Sequence, residues 1–543
     1  MKLHKRITIF SLLAAWLLPA SVRGDIGLNW DVHGYYRNRE VIIHNLANEI
    51  RPPWPYFDEE TRKDIGQPYR QAEWTTYLMQ RVRLEPILSF RDLVKLQLTV
   101  DALDNVVWGD NDSLSSSPIF AGEGTNSGYR GDSPSIIALR RAWIELDLKV
   151  GKLRVGRMAS HWGMGLLSHG GGTFDGAENY RPRDFGDYNF GSIYDRVLFA
   201  TKPVSVIKTL FGAKDTESNI IFAYAFDKLV EDPLELDLPR NFYRPLGESG
   251  WLSNDGDDVN EHVFILVYKN EELEIWDDTD QLVLGAYGII RTQTHSYRED
   301  VKDEQGNVIG SQYTGDGSLI PIADLWGKLR LGPIDFETEW FAILGKTDGG
   351  IPMGGGDLLK KDIRIFSGAI RLGYLTEWID GVFEFGYSSG DDDLSDGTFS
   401  QRPSHPDYNV GLLLYEEILR ERTARTLGRK LSYGLQSNGG VVNSSYMFPR
   451  VRYRPWPWFE GIFGVLSAWT NQPTRQAGLY DKNRGNFLGT EFDLSLTATW
   501  AKAHLFFALE TGYLIFGDAL KDAYLKDGVM GAYTLQSRLY FVF

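Results

Sequence analysis

Cysteine is absent from all 543 residues. That excludes disulfides, a thiol nucleophile, a thiolate metal site and an acylated cysteine anchor. Beyond the N-terminus no run reaches the roughly eighteen apolar residues that a membrane helix needs, so none is expected. Basic residues are in deficit: Lys+Arg number 57 against 73 for Asp+Glu, a net charge of -16, which argues against a nucleic-acid partner. Histidine is sparse, at 9.

What is present begins with an export signal. Lys2, Lys5 and Arg6 precede a short apolar run, Ile7 to Leu18, and Val22 and Gly24 are small residues at the spacing that signal peptidase requires. Residues 1–24 therefore read as a signal peptide and residues 25–543 as one exported unit. Aromatic residues make up 13% of the chain, with 16 Trp and 27 Tyr, a content suited to the two girdles of a membrane barrel.

The most informative stretch is the last. In Gly531 to Phe543, Tyr533, Leu535, Ser537, Leu539, Phe541 and Phe543 alternate with Ala532, Thr534, Gln536, Arg538, Tyr540 and Val542. Period-two alternation puts the two sets on opposite faces of a strand. One face suits lipid and the other a polar lumen. Tyr533, Leu539, Phe541 and the terminal Phe543 also resemble the insertion signal of bacterial outer-membrane barrels, which implies the barrel-assembly machinery as a partner.

The same beat recurs throughout the chain. It predicts strands at 28–36, 75–88, 94–101, 136–149, 153–159, 192–202, 219–228, 260–269, 280–293, 318–331, 334–346, 362–374, 380–389, 440–454, 459–470, 488–500, 503–516 and 531–543. The fold class is all-β: a transmembrane antiparallel barrel of about eighteen strands, with short periplasmic turns alternating with long outer loops. A long polar connection is expected from Tyr36 to Ala72. Within loop 390–438, Gly411 to Leu431 reads as an amphipathic helix with a basic second half, Arg422, Arg425 and Arg429. It either folds inward as a constriction or lies outside against lipopolysaccharide; barrel analogy favours the outside.

Alternation also assigns the lumen. Arg81, Arg83, Arg141, Arg371, Arg450, Arg452 and Arg454 face inward, as do Asp101, Glu145, Glu337, Glu491 and Asp493, because a charge facing lipid costs about 2–4 kcal/mol. Asp147, Asp335, Glu339 and Glu384 share that face. Their sharper reading is a selectivity ladder that steers anionic solutes. The plainer one is a salt-bridged, solvated interior. Arg157 to Gly172 carries Ser160–His161 and Ser168–His169 among glycines. A hydrolase would need serine, histidine and carboxylate to converge, and Asp175 is not placed by any pattern. His161 and His169 lack an evident third ligand, so no metal site is assigned and no cofactor is implied. Asp391 to Gly397 and Asn254 to Asp258 partly match oxygen-ligand loops for Ca²⁺ but read more simply as solvated outer loops.

Several segments resemble a known family. Gln80 to Pro86 (QRVRLEP), Val100 to Val107 (VDALDNVV), Val155 to Leu167 and Tyr194 to Val197 are similar to an uncharacterised family of outer-membrane β-barrel proteins of delta-class proteobacteria. The overall plan also resembles the alginate-export porins, which are eighteen-stranded with an arginine-rich lumen. The resemblance implies a bacterial outer-membrane channel and no catalytic residues. The expected function is passive passage of hydrophilic solutes, with anions as the narrower candidate, through the outer membrane of a Gram-negative cell. The alternative is a loop-plugged barrel serving adhesion or assembly.

Overall fold

The computed structural model describes residues 27–543 apart from 47–73, 92, 108–136, 173–183, 190, 214–216, 230–258, 295–296, 304, 307, 315–316, 348–360, 393–395, 421–436, 438, 473–484, 501–503 and 521–530. The expected signal peptide, the Arg422, Arg425 and Arg429 segment, Asp175 and Asn254 to Asp258 lie outside the described residues.

Eighteen antiparallel strands close into a barrel. In order they are β1 (Leu28–His44), β2 (Trp74–Phe90), β3 (Val94–Val107), β4 (Ile137–Leu148), β5 (Gly151–Ser160), β6 (Ser192–Thr201), β7 (Ile220–Leu229), β8 (Val259–Asn270) and β9 (Gln281–Gln293). A separate hairpin follows, β10 (Tyr297–Lys302) with β11 (Val308–Thr314). The wall resumes with β12 (Ser318–Leu331), β13 (Ile334–Thr347), β14 (Lys361–Tyr374) and β15 (Ile379–Ser388). After the two-residue β16 (Thr398–Phe399) it finishes with β17 (Ser444–Trp456), β18 (Phe459–Thr470), β19 (Phe487–Trp500), β20 (Leu505–Phe516) and β21 (Gly531–Val542). Each strand pairs with its chain neighbour in the wall, and β21 pairs with β1, Tyr35 opposite Val542. Phe543 completes the seam by exchanging backbone hydrogen bonds with Gly34, at 2.9 and 3.0 Å. Closure leaves no unpaired edge, which is what lets a sheet cross hydrocarbon.

Alternation decides the two faces as the sequence implies. Leu84, Ile144, Val155, Val197, Leu325, Phe383 and Val451 are exposed on the outside, whereas Arg83, Glu145, Asp324, Glu384 and Arg450 are buried inside. With no water-filled use for such an aliphatic belt, the outer wall faces lipid. At the short-turn end Trp378, Trp456, Trp458 and Trp500 are exposed, and the Trp456 and Trp458 rings stack at 5.3 Å. This is the amphipathic belt that tryptophan forms at a membrane boundary. The turn between β6 and β7 contains a short helix, α1 (Pro203–Leu210), with proline at its start where the missing N–H costs nothing.

Two expectations are corrected. The first strand does not end at Tyr36 but runs to His44. Its second half turns Val41 and Ile43 inward, both fully buried, because apolar loop residues occupy the lumen there. The expected outward-lying amphipathic helix in loop 390–438 is instead a π-helical turn, Leu414–Leu419, inside the barrel. Leu412, Leu413, Leu414 and Tyr415 are at most 1% exposed, as are Ile418 and Leu419, while Glu416 and Glu417 stay half-buried. The hairpin β10–β11 and helix α1 were not foreseen.

Candidate functional site in the barrel lumen

The described parts of two long connections, 161–191 and 389–443, turn inward and meet. Their apolar residues, among them Trp162, Leu166, Leu167, Phe185, Tyr408, Val410 and Leu412 to Leu414, join inward wall residues in one buried cluster. The lumen is therefore constricted by packed loops.

Two wall glutamates hold them. Glu339 on β13 accepts four consecutive backbone N–H groups of the first loop. Met164 and Gly165 donate to Oε2, with Gly165 at 3.0 Å, and Leu166 and Leu167 donate to Oε1, at 3.1 and 3.3 Å. Glu491 on β19 accepts Leu412 and Leu413 at 2.7 Å on Oε1 and Leu414 at 2.7 Å on Oε2. Each carboxylate satisfies the orphan donors of a tight turn, the role of a helix N-cap transferred to a distant strand. Gly165 is needed in the first turn because its φ is +90° and a Cβ there would lie 2.3 Å from His169.

Three predicted lumen arginines clamp the first loop from the other side. Arg83 donates to Gly172 O at 2.7 Å, Arg141 to Gly170 O at 2.6 Å and Arg81 to Tyr188 O at 3.0 Å. Arg83 is also bidentate on Asp101, at 2.6 and 2.8 Å, and Arg81 bonds Asp104 at 2.6 Å. Asp187 ties the same loop to β1 and β21 through Arg37 and the Tyr540 hydroxyl. Burial alone would raise its pKa, but Arg37, Arg538, Arg39 and Arg81 outweigh that and hold the carboxyl well below its ordinary range.

The other predicted residues divide by position. Arg371, Arg450, Arg452 and Arg454 come together on the wall between β14 and β18. Glu384 is their hub, accepting Arg371 at 2.9 Å, Arg450 at 2.7 Å and the hydroxyls of Tyr408 and Tyr446 at 2.8 and 2.7 Å. Asp184 of the first loop bridges Arg450 and Arg452, at 2.9 and 2.8 Å, and Asp380 takes Arg454 at 2.7 Å. Side-chain exposure rises along this row, from 3% at Arg450 to 14% at Arg452 and 31% at Arg454, toward the short-turn mouth. A cavity of about 580 Å³ opens there, lined by Arg330, Arg452, Arg454 and Asp380. A separate small pocket of about 10 Å³ lies between Asp184, Asp335, Arg371 and Arg452. Glu145 sits apart, paired with Lys152 at 3.0 Å and Arg154 at 2.6 Å. Glu337 accepts the Trp326 indole N–H at 3.1 Å, and Asp493 is buried beside Glu491.

Sequence reasoning left out Asp184 and Asp187, whose partners lie far along the chain, as well as Arg330, and did not give Glu339 or Glu491 a loop-capping role. The Ser–His pairs form no catalytic array among the described residues. Ser168 Oγ donates to Ser160 O at 3.2 Å, Ser160 Oγ accepts from Arg196 at 3.1 Å, and His161 Nδ1 accepts Gly170 N–H at 3.1 Å. Asp391, from the partial Ca²⁺ motif, is buried and accepts Ser400 N–H at 2.9 Å.

No protein-family model and no curated protein matches this sequence. Among solved structures the chain is similar to Pseudomonas aeruginosa OccK8 (OprE), with 11% identity, TM-score 0.44, and 95% of this chain and 98% of that one covered. It is similar to a BenF-like porin from Pseudomonas fluorescens Pf-5, with 9% identity, TM-score 0.44 and coverage of 95% and 98%. A third is Pseudomonas aeruginosa OccK5 (OpdH), with 9% identity, TM-score 0.42 and coverage of 94% and 98%. Likenesses at such identities and TM-scores carry no functional inference; the closed eighteen-strand barrel stands on its own pairing.

Proposed function

We propose that this chain is an outer-membrane channel for passive passage of small hydrophilic solutes, with a preference for anions. One observation carries the reading: the charged cavity at the short-turn mouth, lined by Arg330, Arg452 and Arg454 and by Asp277, Glu377 and Asp380. Guanidinium groups graded in exposure along one wall attract an anion and pass it between sites without holding it in a deep well. In this reading the exported chain sits in the outer membrane with lipid and lipopolysaccharide around it, both termini in the periplasm, and the barrel-assembly machinery acting on Phe543 and its neighbours. An acidic polysaccharide, suggested by the resemblance of the sequence plan to alginate-export porins, is the largest anion to try.

The test is single-channel conductance of the refolded barrel in a planar bilayer under a salt gradient. Steady steps with an anion-selective reversal potential are expected, and selectivity should fall when Arg450, Arg452 and Arg454 become Gln. Because Arg450 also anchors Asp184, the double variant Arg452→Gln/Arg454→Gln separates selectivity from loop release. A correctly folded barrel that never conducts would overturn the proposal in favour of a plugged surface protein.

A further inference from the structure

Three of the nine histidines converge where the two inner loops touch. The His169 ring lies 4.9 Å from that of His161 and 5.8 Å from that of His405, which belongs to the other loop. Asp407, two residues on, is buried. One ligand atom each from His169, His405 and Asp407 lie within 4.8 Å of one another. Two imidazoles and a carboxylate are the donor set of many zinc and other divalent-metal sites that keep a position for water.

The surroundings are those of a built site. The Asp407 carboxylate is aimed by two backbone donors of the first loop, Asn189 N–H to Oδ1 at 2.6 Å and Gly191 N–H to Oδ2 at 3.0 Å. Each carboxylate oxygen retains a lone pair beyond those bonds. His169 Nδ1 accepts Gly171 N–H and His405 Nδ1 accepts Asp407 N–H, both at 3.0 Å, which fixes the two ring planes. Whichever nitrogen takes a cation, the ring gives up a single such bond, a small loss against a coordinate bond. Arg141 bears on His169 and Arg402 on His405. That charge disfavours an ion held by electrostatics alone, such as Ca²⁺ or Mg²⁺, and selects one held by coordinate bonds to nitrogen.

We propose that His169, His405 and Asp407 form a divalent transition-metal site that clasps the two inner loops across the lumen. Tetrahedral donors at zinc stand about 3.3 Å apart, so binding draws the loops together by at most about 1.5 Å. The ion fastens the constriction, and the site does not depend on which solute passes, or on whether any does.

The experiment is titration of the full refolded, metal-stripped barrel in detergent with Zn²⁺ by calorimetry, and with Co²⁺ by visible absorption. One Zn²⁺ per chain is expected, with affinity reduced at least tenfold in His405→Gln and in Asp407→Asn, and a tetrahedral or five-coordinate Co²⁺ band. The His169→Gln/His405→Gln double variant, checked by its heat-modifiable gel migration, is the blank. Wild-type protein that binds no more Zn²⁺ than the blank, or that leaves Co²⁺ with its aqueous spectrum, overturns the proposal. The Co²⁺ result needs no variant to fold, and neither readout needs conductance, so this inference and the channel reading fail separately.

Discussion

Removing the Glu339 carboxylate should open the constriction. Replacing Glu339 with Ala strips the acceptor from four N–H groups, those of Met164, Gly165, Leu166 and Leu167, in a turn whose side chains are buried. If water entering the vacated space serves half of them, two buried donors remain unpaired at about 1–3 kcal/mol each, or roughly 2–6 kcal/mol against the docked loop. Even about 2 kcal/mol raises the undocked population some thirtyfold. The assay is conductance in planar bilayers: Glu339→Ala should show larger or noisier steps than wild type. Glu339→Gln should be intermediate, since one amide oxygen recovers one pair of donors while the NH₂ opposes the other. Trp162 should loosen at the same time, because it stacks on Tyr287 at 5.0 Å and donates to Asp324 at 3.1 Å only while the loop is seated. A Glu339→Ala barrel with native gel migration and wild-type conductance would refute the idea that this carboxylate holds the loop.

Glu491→Ala should release the second loop in the same way through Leu412 to Leu414, again read by conductance. Combined with Glu339→Ala its effect should be less than additive, because the loops touch each other: His405 N–H donates to Leu166 O at 2.7 Å, and Asn409 reaches Asp187 O at 3.2 Å. Acid should loosen the loops as well. His169 and His405 have folded pKa values near 3, below the unfolded value of about 6.5, so the undocked state binds more protons as pH falls and their stabilising neutral form is fully present only above that value. Lowering the pH from 7.5 to 5.5 should cost about 1.4 kcal/mol per imidazole, seen as a lower denaturant midpoint in detergent. Replacing both residues with Gln should remove most of the shift and leave the part that buried His161 contributes.

The sequence determined the wall. Alternation at Arg81, Arg83 and Glu85 against Val82 and Leu84, or at Glu491, Asp493 and Ser495 against Phe492 and Leu494, is a local property of extended backbone. No distant contact is needed to read which face meets lipid. The strand number and the seam at Phe543 followed from the same pattern. It also placed Arg450, Arg452 and Arg454 together in the lumen, since they share one strand. What the lumen contains was decided by tertiary structure alone. Glu339 stands 172 residues from Leu167, and Glu491 stands 77 from Leu414. No local pattern marks a strand glutamate as the cap of a remote turn. The apolar run at Leu412 to Tyr415 is equally suited to lie in an interface or fill a barrel. It goes inward because Glu491 there satisfies three backbone donors that lipid could not. Likewise His169 meets His405 and Asp407 only because both loops turn into the same space; apart, they are three polar residues on two glycine-containing connections.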